Sequence, residues 1–121
     1  MAKIIAVDDE PDIVKLIEKI LKKAGHKVKG YNSGQEFLEE YGKEKPDLVM
    51  LDVMMPGMDG WEVYKRVRKI NKKQKVLFIT AVTMESESRK TMDELGVSDY
   101  MTKPFEPQEL VERVKSVLSA R

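Results

Sequence analysis

The stretch Leu48-Val49-Met50-Leu51-Asp52 decides how this chain folds, because four apolar residues lead directly into a single acid. A short, continuous apolar run of this kind is typical of a strand that is buried on both faces of a parallel sheet. Three further apolar runs end beside polar side chains: Ile4-Ile5-Ala6-Val7 precedes Asp8 and Asp9, Val76-Leu77-Phe78-Ile79 precedes Thr80, and Tyr100-Met101 shortly precedes Lys103. Ligands bind at the carboxyl ends of strands in an open parallel sheet, so we expect these polar side chains to meet in one pocket.

Helical patterns separate the apolar runs, which indicates repeated βα units. We predict strands near residues 3–7, 27–31, 48–51, 76–80 and 99–101. We predict helices over residues 11–25, 33–41, 59–70 and 85–95, and a last one that begins at residue 107. The apolar residues expected to face the sheet are Ile13, Leu16, Ile17, Ile20 and Leu21 in the first helix, Val63, Val67 and Ile70 in the third, and Leu110, Val114, Val117 and Leu118 in the last. The helix over 85–95 has few large apolar residues, so we expect it to be loosely held.

Length and composition limit the classes of protein to which this chain can belong. A chain of 121 residues fits a single domain, 1–121, that can bury a core without disulfides. Its 22 basic and 21 acidic residues give a net charge of +1, which argues against direct nucleic-acid binding or attraction to an anionic membrane. Without Cys, a signal peptide or an apolar run near the roughly 20 residues of a membrane span, the sequence suggests a cytoplasmic protein that does not insert into membranes.

Each polar residue at a strand end also has an ordinary structural explanation. Asp8 and Asp9 could cap the helix that follows them, and Asp52 could be an ordinary acid at the start of a loop. Thr80 could be a common strand residue, and Lys103 could be a solvated surface lysine. Glu10, however, makes three adjacent negative charges, which repel one another unless a cation is present. The placement of these acids, Thr80 and Lys103 together at strand ends therefore favours a site for a divalent cation and a transferable phosphoryl group.

The motifs around these residues carry a resemblance. They are Val7-Asp8-Asp9-Glu10, Leu51-Asp52-Val53-Met54-Met55-Pro56-Gly57-Met58-Asp59-Gly60, Thr80-Ala81 and Asp99-Tyr100-Met101-Thr102-Lys103-Pro104-Phe105. Over about residues 3–118 the chain resembles the receiver domain of two-component response regulators, and it is similar to the stand-alone chemotaxis-type regulators. The resemblance implies an α/β flavodoxin-like fold with a doubly wound five-stranded parallel sheet of order 2-1-3-4-5 and five helices.

The same resemblance implies a phosphoprotein that acts in phosphorelay signal transduction. Asp52 would accept a phosphoryl group from a sensor histidine kinase in a Mg2+-dependent reaction. Asp8, Asp9 and Asp52 would surround the ion, the main-chain carbonyl of Met54 would complete the protein ligands, and Mn2+ could substitute. The domain would catalyse its own phosphorylation and slow dephosphorylation, without being an enzyme that acts on a separate substrate.

The resemblance also implies a switch. Thr80 and Lys103 would bind the phosphoryl oxygens, Tyr100 would be the switch aromatic, and the Lys103-Pro104 bond would be cis. Partners would bind the surface of the fourth helix, the fifth strand and the fifth helix, and the protein would be a monomer or a weak phosphorylation-dependent dimer. Met54 and Val82 stand where some family members carry polar side chains near the attacking water, so we expect slow loss of the phosphoryl group.

Three alternatives come from other classes of protein. An aspartyl-phosphate phosphatase normally has a second acid two residues after its nucleophile, and Met54 occupies that position. A flavin-binding protein would need a phosphate-binding loop after the first strand, where this chain has acids. A scaffold that is never phosphorylated would not need the full set of acids, Thr80 and Lys103. His26, the single His, begins the second strand and is expected to lie away from the pocket.

Overall fold

The computed structural model describes residues 2–81, 94 and 97–120, and its centre is a five-stranded parallel sheet of order β2-β1-β3-β4-β5. In chain order the elements are β1 Lys3–Val7, α1 Pro11–Lys23, β2 Lys27–Tyr31, α2 Gly34–Glu44, β3 Leu48–Asp52, α3 Gly60–Ile70, β4 Lys75–Thr80, β5 Asp99–Thr102 and α4 Pro107–Ser119. The predicted fold class and strand order are confirmed. The helix predicted over 85–95 lies outside the described residues apart from Glu94, which is helical and exposed.

The central strand β3 explains why the sheet is parallel and buried. All five of its residues are buried, and it pairs with β1 on one side and with β4 on the other. Successive side chains of a strand point to opposite faces, so a strand covered on both faces is apolar at every position until it ends. Asp52 is the residue at which this apolar run stops.

Helices cover both faces of the sheet and bury two apolar clusters. On one face, Phe37 and Tyr41 of α2 and Val63 of α3 pack with Val49 and Leu51 of β3. On the other face, α1 and α4 pack against the alternate strand residues, in a cluster of Ile4, Ala6, Leu48, Met50, Ile17, Leu21, Leu110, Val114 and Val117. The period-2 alternation of the strands thus assigns each residue to one of the two cores.

Helix starts follow from local side-chain chemistry. Ser33 caps α2 by accepting a hydrogen bond from the Glu36 N–H at 3.1 Å, and Asp59 caps α3 by accepting one from the Glu62 N–H at 3.0 Å. Such caps satisfy backbone donors that have no partner inside the helix. Pro11 begins α1 and Pro107 begins α4, as the sequence predicted, because a fixed φ and a missing N–H suit a first helical turn.

Two residues predicted to face the sheet do not. Ile70 is 63% exposed because it is the last residue of α3 and lies past the buried stripe of that helix. Leu16 is 41% exposed because it lies about 130° around α1 from the centre of the buried stripe, which is formed by Val14, Ile17 and Leu21. Among the described residues, no helix is both long enough and apolar enough to cross a membrane.

Candidate functional site

Three polar side chains are buried at the carboxyl edge of the sheet. Asp8 is 2% exposed, Asp52 is 3% exposed and Thr80 is 1% exposed. They follow or end β1, β3 and β4, which are neighbouring strands. The prediction that polar side chains at the strand ends lie together is therefore correct for these three residues. Buried polar groups are costly unless they form hydrogen bonds or ion pairs.

Lys103 supplies the partner for two of the carboxylates. Its Nζ lies 2.7 Å from Asp8 Oδ2 and 3.5 Å from Asp52 Oδ2, and its side chain is 12% exposed. A third acid, Glu10, approaches the same ammonium at 3.3 Å, although the Glu10 side chain is 62% exposed. One cation therefore joins residues from three separate parts of the chain.

Backbone hydrogen bonds fix where Lys103 and Asp52 lie. The Lys103 N–H donates to the Thr80 carbonyl at 2.8 Å, so the loop after β5 is attached to the end of β4. The Met54 N–H donates to Asp52 Oδ1 at 3.2 Å, which holds one carboxylate oxygen while the other faces Lys103. The Lys103-Pro104 bond is cis, as the resemblance implied.

Gly60 shows how closely α3 approaches the acid at the end of β3. A Cβ at position 60 would collide with the Asp52 carbonyl oxygen and would lie 2.8 Å from the Val53 Cα. The Gly60 N–H also donates to the Val53 carbonyl at 2.9 Å. The first residue of α3 therefore packs directly on the backbone that carries Asp52, and a side chain there would displace it.

Asp8 is held by backbone contacts with Tyr31 and Asn32, and the contact with Asn32 was not predicted from the sequence. The Asp8 N–H donates to the Tyr31 carbonyl at 3.1 Å, and the Asn32 side-chain amide donates to the Asp8 carbonyl at 3.2 Å. Asn32 follows β2 just as Asp8 follows β1, so the strand-end rule could have found it. The Glu10 N–H donates to Asp8 Oδ1 at 3.0 Å, which leaves Oδ2 to face Lys103.

Burial dominates the electrostatics of Asp52. Loss of solvent, followed by the neighbouring charge of Asp8, raises the pKa of the Asp52 carboxyl to about 7, although Lys103 and the Met54 N–H act in the opposite direction. Burial alone would lower the pKa of the Lys103 ammonium, but the hydrogen bond and charge of Asp8, with smaller effects of Asp52 and Glu10, outweigh it and raise that pKa. Lys103 therefore stays cationic, while the pKa of the Asp52 carboxyl lies near neutral pH.

The acids form a group whose geometry suits a cation. Ligand atoms of Asp8, Asp9 and Glu10 all lie within 4.8 Å of one another. Asp52 is outside that group of three and joins it through Lys103, which contacts both Asp8 and Asp52. Asp8 Oδ2 is buried, and its close partner among the described residues is the Lys103 ammonium at 2.7 Å. Carboxylate oxygens of this kind fit a hard divalent ion.

Tyr100 and His26 lie away from this group. Tyr100 is partly buried and packs against the cluster under α2 and α3, and its backbone pairs with Phe78 in the register of β4 and β5. His26 precedes β2 at the amino end of the sheet, where its Nδ1 accepts a hydrogen bond from the Ala2 N–H at 3.2 Å. Partial burial lowers the pKa of His26.

Comparison with known proteins identifies the class of this fold and site. Residues 4–115 match the family model described as the response regulator receiver domain, and the chain belongs to this family. Receiver domains of two-component systems are phosphorylation-dependent switches, work with sensor histidine kinases and generally bind Mg2+ in an acidic pocket.

Individual relatives agree with this assignment. The chain is 44% identical over 116 residues to the alkaline phosphatase synthesis transcriptional regulatory protein PhoP of Bacillus subtilis, and this match covers 96% of the chain but 48% of that protein. It thus spans about half the length of that curated relative. The structure is similar to chemotaxis protein CheY4 of Vibrio cholerae, with a TM-score of 0.90, 33% identity and coverage of 97% of this chain and 98% of that one. It is also similar to the BeF3-activated receiver domain of Klebsiella pneumoniae RstA, with a TM-score of 0.86, 31% identity and coverage of 98% and 99%.

The raised pKa of Asp52 predicts how stability depends on pH. A carboxyl whose pKa is raised from 3.8 to about 7 binds its proton more tightly in the folded state, so its contribution is most favourable below pH 4 and is lost as the pH rises through about 7. Asp52→Asn should therefore stabilise the metal-free protein by about 2 kcal/mol near pH 7 and by much less near pH 4.

Urea denaturation in the presence of a chelator measures this effect. Asp12→Asn, which removes an exposed acid in the first turn of α1, is the matched control and should show no comparable gain. Equal gains for the two variants at pH 7, or a gain for Asp52→Asn that does not change with pH, would contradict the assigned cause.

Proposed function

We propose that this chain is a signalling switch in which Asp52 accepts a phosphoryl group from a sensor histidine kinase. The observation that carries the proposal is the contact between Lys103 Nζ and Asp52 Oδ2 at 3.5 Å, in a pocket where Asp8 shares the same ammonium. A buried carboxylate beside a fixed cation is suited to nucleophilic attack on phosphorus, since phosphoryl transfer chiefly needs positioning and neutralisation of charge.

The protein contributes orientation and charge to this transfer. The Asp52 oxygen forms the new bond to phosphorus as the bond from phosphorus to the kinase histidine breaks, which yields an acyl phosphate and a free imidazole. The Met54 N–H restrains Oδ1, so the carboxylate presents a defined face to the donor. Lys103 is placed to neutralise the phosphoryl oxygens, and the Thr80 hydroxyl, at the end of the neighbouring strand, is the proposed second contact.

The proposed metal ligands are Asp8, Asp9 and Asp52, together with the main-chain carbonyl of Met54. A bound Mg2+, or Mn2+ in its place, supplies positive charge to the attacking and transferred oxygens. The raised pKa of Asp52 supports a requirement for such an ion, because a carboxyl near its pKa is only partly ionised at neutral pH. A nearby cation favours the ionised, nucleophilic form.

The domain would act on itself and have no separate substrate. It would catalyse its own phosphorylation and lose the phosphoryl group slowly. The Met54 side chain is 62% exposed, and its thioether is only a weak hydrogen-bond acceptor that would orient a hydrolytic water poorly. Val82, the second residue proposed to affect this rate, lies outside the described residues.

The proposed output is a change in partner binding at the surface of β5, α4 and the predicted helix over 85–95. Thr80 pairs with Thr102 of β5, and Tyr100 lies two residues earlier on the same strand. Arg113 of α4 donates to the Tyr100 carbonyl at 3.0 Å and pairs with Asp99 at 3.2 Å, so a change in β5 would reach α4 directly. A turn of Thr80 toward the phosphoryl group would let Tyr100 rotate inward.

We place this switch in the cytoplasm as a monomer or a weak phosphorylation-dependent dimer. Its direct partners would be the kinase and a downstream protein, without nucleic-acid binding by this domain itself. The similar PhoP of Bacillus subtilis is described as a transcriptional regulatory protein, so coupling to a DNA-binding segment is one form that the output could take.

Asp52 should be the sole phosphoacceptor. Incubation with acetyl phosphate and Mg2+ should add one phosphoryl mass to the parent protein and none to Asp52→Asn, measured by intact-mass spectrometry. Asp12→Asn is the matched control and should be modified like the parent. Modification of Asp52→Asn, mapped by peptide analysis to another residue, would refute the assignment.

Metal affinity should depend on Asp9 more than on Glu10. Asp9→Ala and Glu10→Ala each remove one carboxylate, but the Glu10 side chain is 62% exposed and contacts Lys103. Isothermal titration with Mg2+ should show a loss of about tenfold or more for Asp9→Ala, because it removes a ligand. The loss for Glu10→Ala should be about twofold, because it removes only an exposed charge. Equal losses would argue against the proposed ligand set.

The switch should spread beyond the pocket. Addition of beryllofluoride, a phosphoryl mimic, should shift backbone amide resonances of Tyr100 and of residues 83–95 as well as those around Asp52, because the bound group favours the state that it contacts better. Thr80→Ala should still bind the mimic but lose the distant shifts. Thr102 is the residue of β5 that pairs with Thr80 in the strand register, and its side chain is exposed. Thr102→Ala is therefore the matched control, because it removes a threonine hydroxyl from the neighbouring strand. Shifts confined to the pocket in the parent protein would show that no switch occurs.

A further inference from the structure

One segment of this chain carries a dense group of positive charges. Between residues 65 and 75, a segment that we call the basic run, there are seven cations and no acid, although the whole chain has a net charge of +1. The cations are Lys65, Arg66, Arg68, Lys69, Lys72, Lys73 and Lys75. The run covers the end of α3, the following loop and the first residue of β4, at the edge of the sheet opposite the candidate site.

Structural roles account for part of this charge. Arg66 pairs with Glu62 at 3.2 Å, and Lys75 donates to the Leu118 carbonyl at 2.9 Å. Arg68 lies over the Tyr64 ring and donates to a backbone carbonyl in the loop. No carboxylate of the described residues forms an ion pair with the remaining four, which are Lys65, Lys69, Lys72 and Lys73. Several adjacent unpaired lysines create a local positive potential.

An apolar side chain lies within this run. Ile70 is 63% exposed and is one of three large apolar side chains that are exposed in the described part of the chain, the others being Leu16 and Met54. Its neighbours in the sequence include Lys69 and Lys72. The exposed Ile70 side chain therefore offers apolar surface that a partner could cover, next to lysines in the sequence.

A cleft opens beside Ile70. Its volume is about 350 Å3, and Tyr41, Lys45, Pro46 and Gln74 contribute to its wall. The Tyr41 hydroxyl donates to Gln74 Oε1 at 2.5 Å in a buried hydrogen bond, so that wall is fixed in place. We call this feature the Ile70 cleft.

Lys45 adds a cation at the rim of this cleft in an unusual backbone conformation. Its φ is 45°, and it is the one residue other than Gly with a positive φ among those described. Glycine or asparagine normally occupies this position after a helix, because a side chain there is strained. The strained lysine therefore costs stability where a glycine would not, and Lys45 is one of the residues that line the cleft.

We propose that the Ile70 cleft and the basic run form a docking surface for an acidic segment of a partner protein, with one apolar side chain of that segment in the cleft. Carboxylates of the segment would pair with Lys45, Lys69, Lys72 and Lys73. The exposed Ile70 and the cleft favour a protein segment over a nucleic-acid backbone, which would neutralise the lysines but leave both apolar features uncovered. None of these residues belongs to β5 or α4, the described elements that the proposed switch would change.

Fluorescence anisotropy with a labelled acidic peptide tests the proposal. The probe is a fluorescein-labelled peptide of about ten Asp and Glu residues with one central Leu, and the comparison peptide carries Ser in place of that Leu. The full chain should bind the Leu peptide about fivefold more tightly than the Ser peptide, because only the first covers Ile70. Backbone amide shifts on titration with the Leu peptide should lie in residues 65–75 and around Lys45.

Two variants locate the surface. Lys69→Gln/Lys72→Gln should bind the Leu peptide about fivefold more weakly, since each exposed pair contributes modestly, and the difference should shrink in high salt. Lys19→Gln/Lys23→Gln on α1, across the sheet, makes the same change of charge and should bind like the parent. Ile70→Ser should lose the preference for the Leu peptide over the Ser peptide. These side chains are exposed, so matching thermal melts will show that all variants remain folded.

Several results would overturn the proposal. They are a dissociation constant for the Leu peptide weaker than about 1 mM, equal binding of the two peptides, or equal weakening by the α1 control variant. Tighter binding of a DNA duplex or of vesicles of anionic lipid, through the same residues and unaffected by Ile70→Ser, would assign the basic run to a polyanion or a membrane instead.

Discussion

The pocket depends on the contact between the Lys103 ammonium and the buried carboxylates of Asp8 and Asp52. Two negative charges that are 2% and 3% exposed cannot lie together at the end of adjacent strands without a cation. Lys103 is brought there by a backbone hydrogen bond to Thr80, so the fourth and fifth strands are tied to the first and third through charge as well as through the sheet. Lys103 carries one positive charge against the carboxyl groups of Asp8, Asp52 and Glu10, so the pocket has an excess of negative charge when these are ionised. A phosphoryl group would add about two more negative charges. This imbalance is the physical reason why phosphoryl transfer here would require a divalent ion.

The fold and most of the pocket could be predicted from the sequence because both follow from where strands end. Asp52 marks the end of a strand with no exposed residue, and Asp8 and Thr80 mark the ends of its neighbours. Parallel strands present those ends at one edge, so residues far apart in sequence could be placed together without any knowledge of contacts. The same rule extends to Asn32, which follows β2 and was missed because an amide carries no charge to draw attention.

Other features of the site and the core could not be predicted from the sequence, because the spacing of apolar residues does not tell how far a side chain reaches. The approach of Glu10 to Lys103 and the exclusion of Asp52 from the tight group of three acids are set by rotamers and loop paths. Ile70 fits the spacing of a buried helical face, but spacing does not tell where the underlying core stops. Leu16 was predicted wrongly because the five apolar residues that were expected to face the sheet span a wider arc of α1 than the sheet covers.

Two groups of opposite charge lie at the two edges of the sheet, and their separation has a consequence. Acids gather at the carboxyl edge of the sheet, and the basic run lies at the amino edge, with the length of β4 between them. Six residues of extended strand span roughly 17 Å. The Debye length at physiological ionic strength is about 8 Å, so solvent-exposed charges at the two edges are largely screened from each other. A phosphoryl group on Asp52 would therefore have little direct electrostatic effect on a partner held at Lys69 and Lys72. Communication between the two edges would have to pass through movement of packed strands and helices, and β3 and β4, which are buried along nearly their whole length, are the rigid elements that oppose such movement.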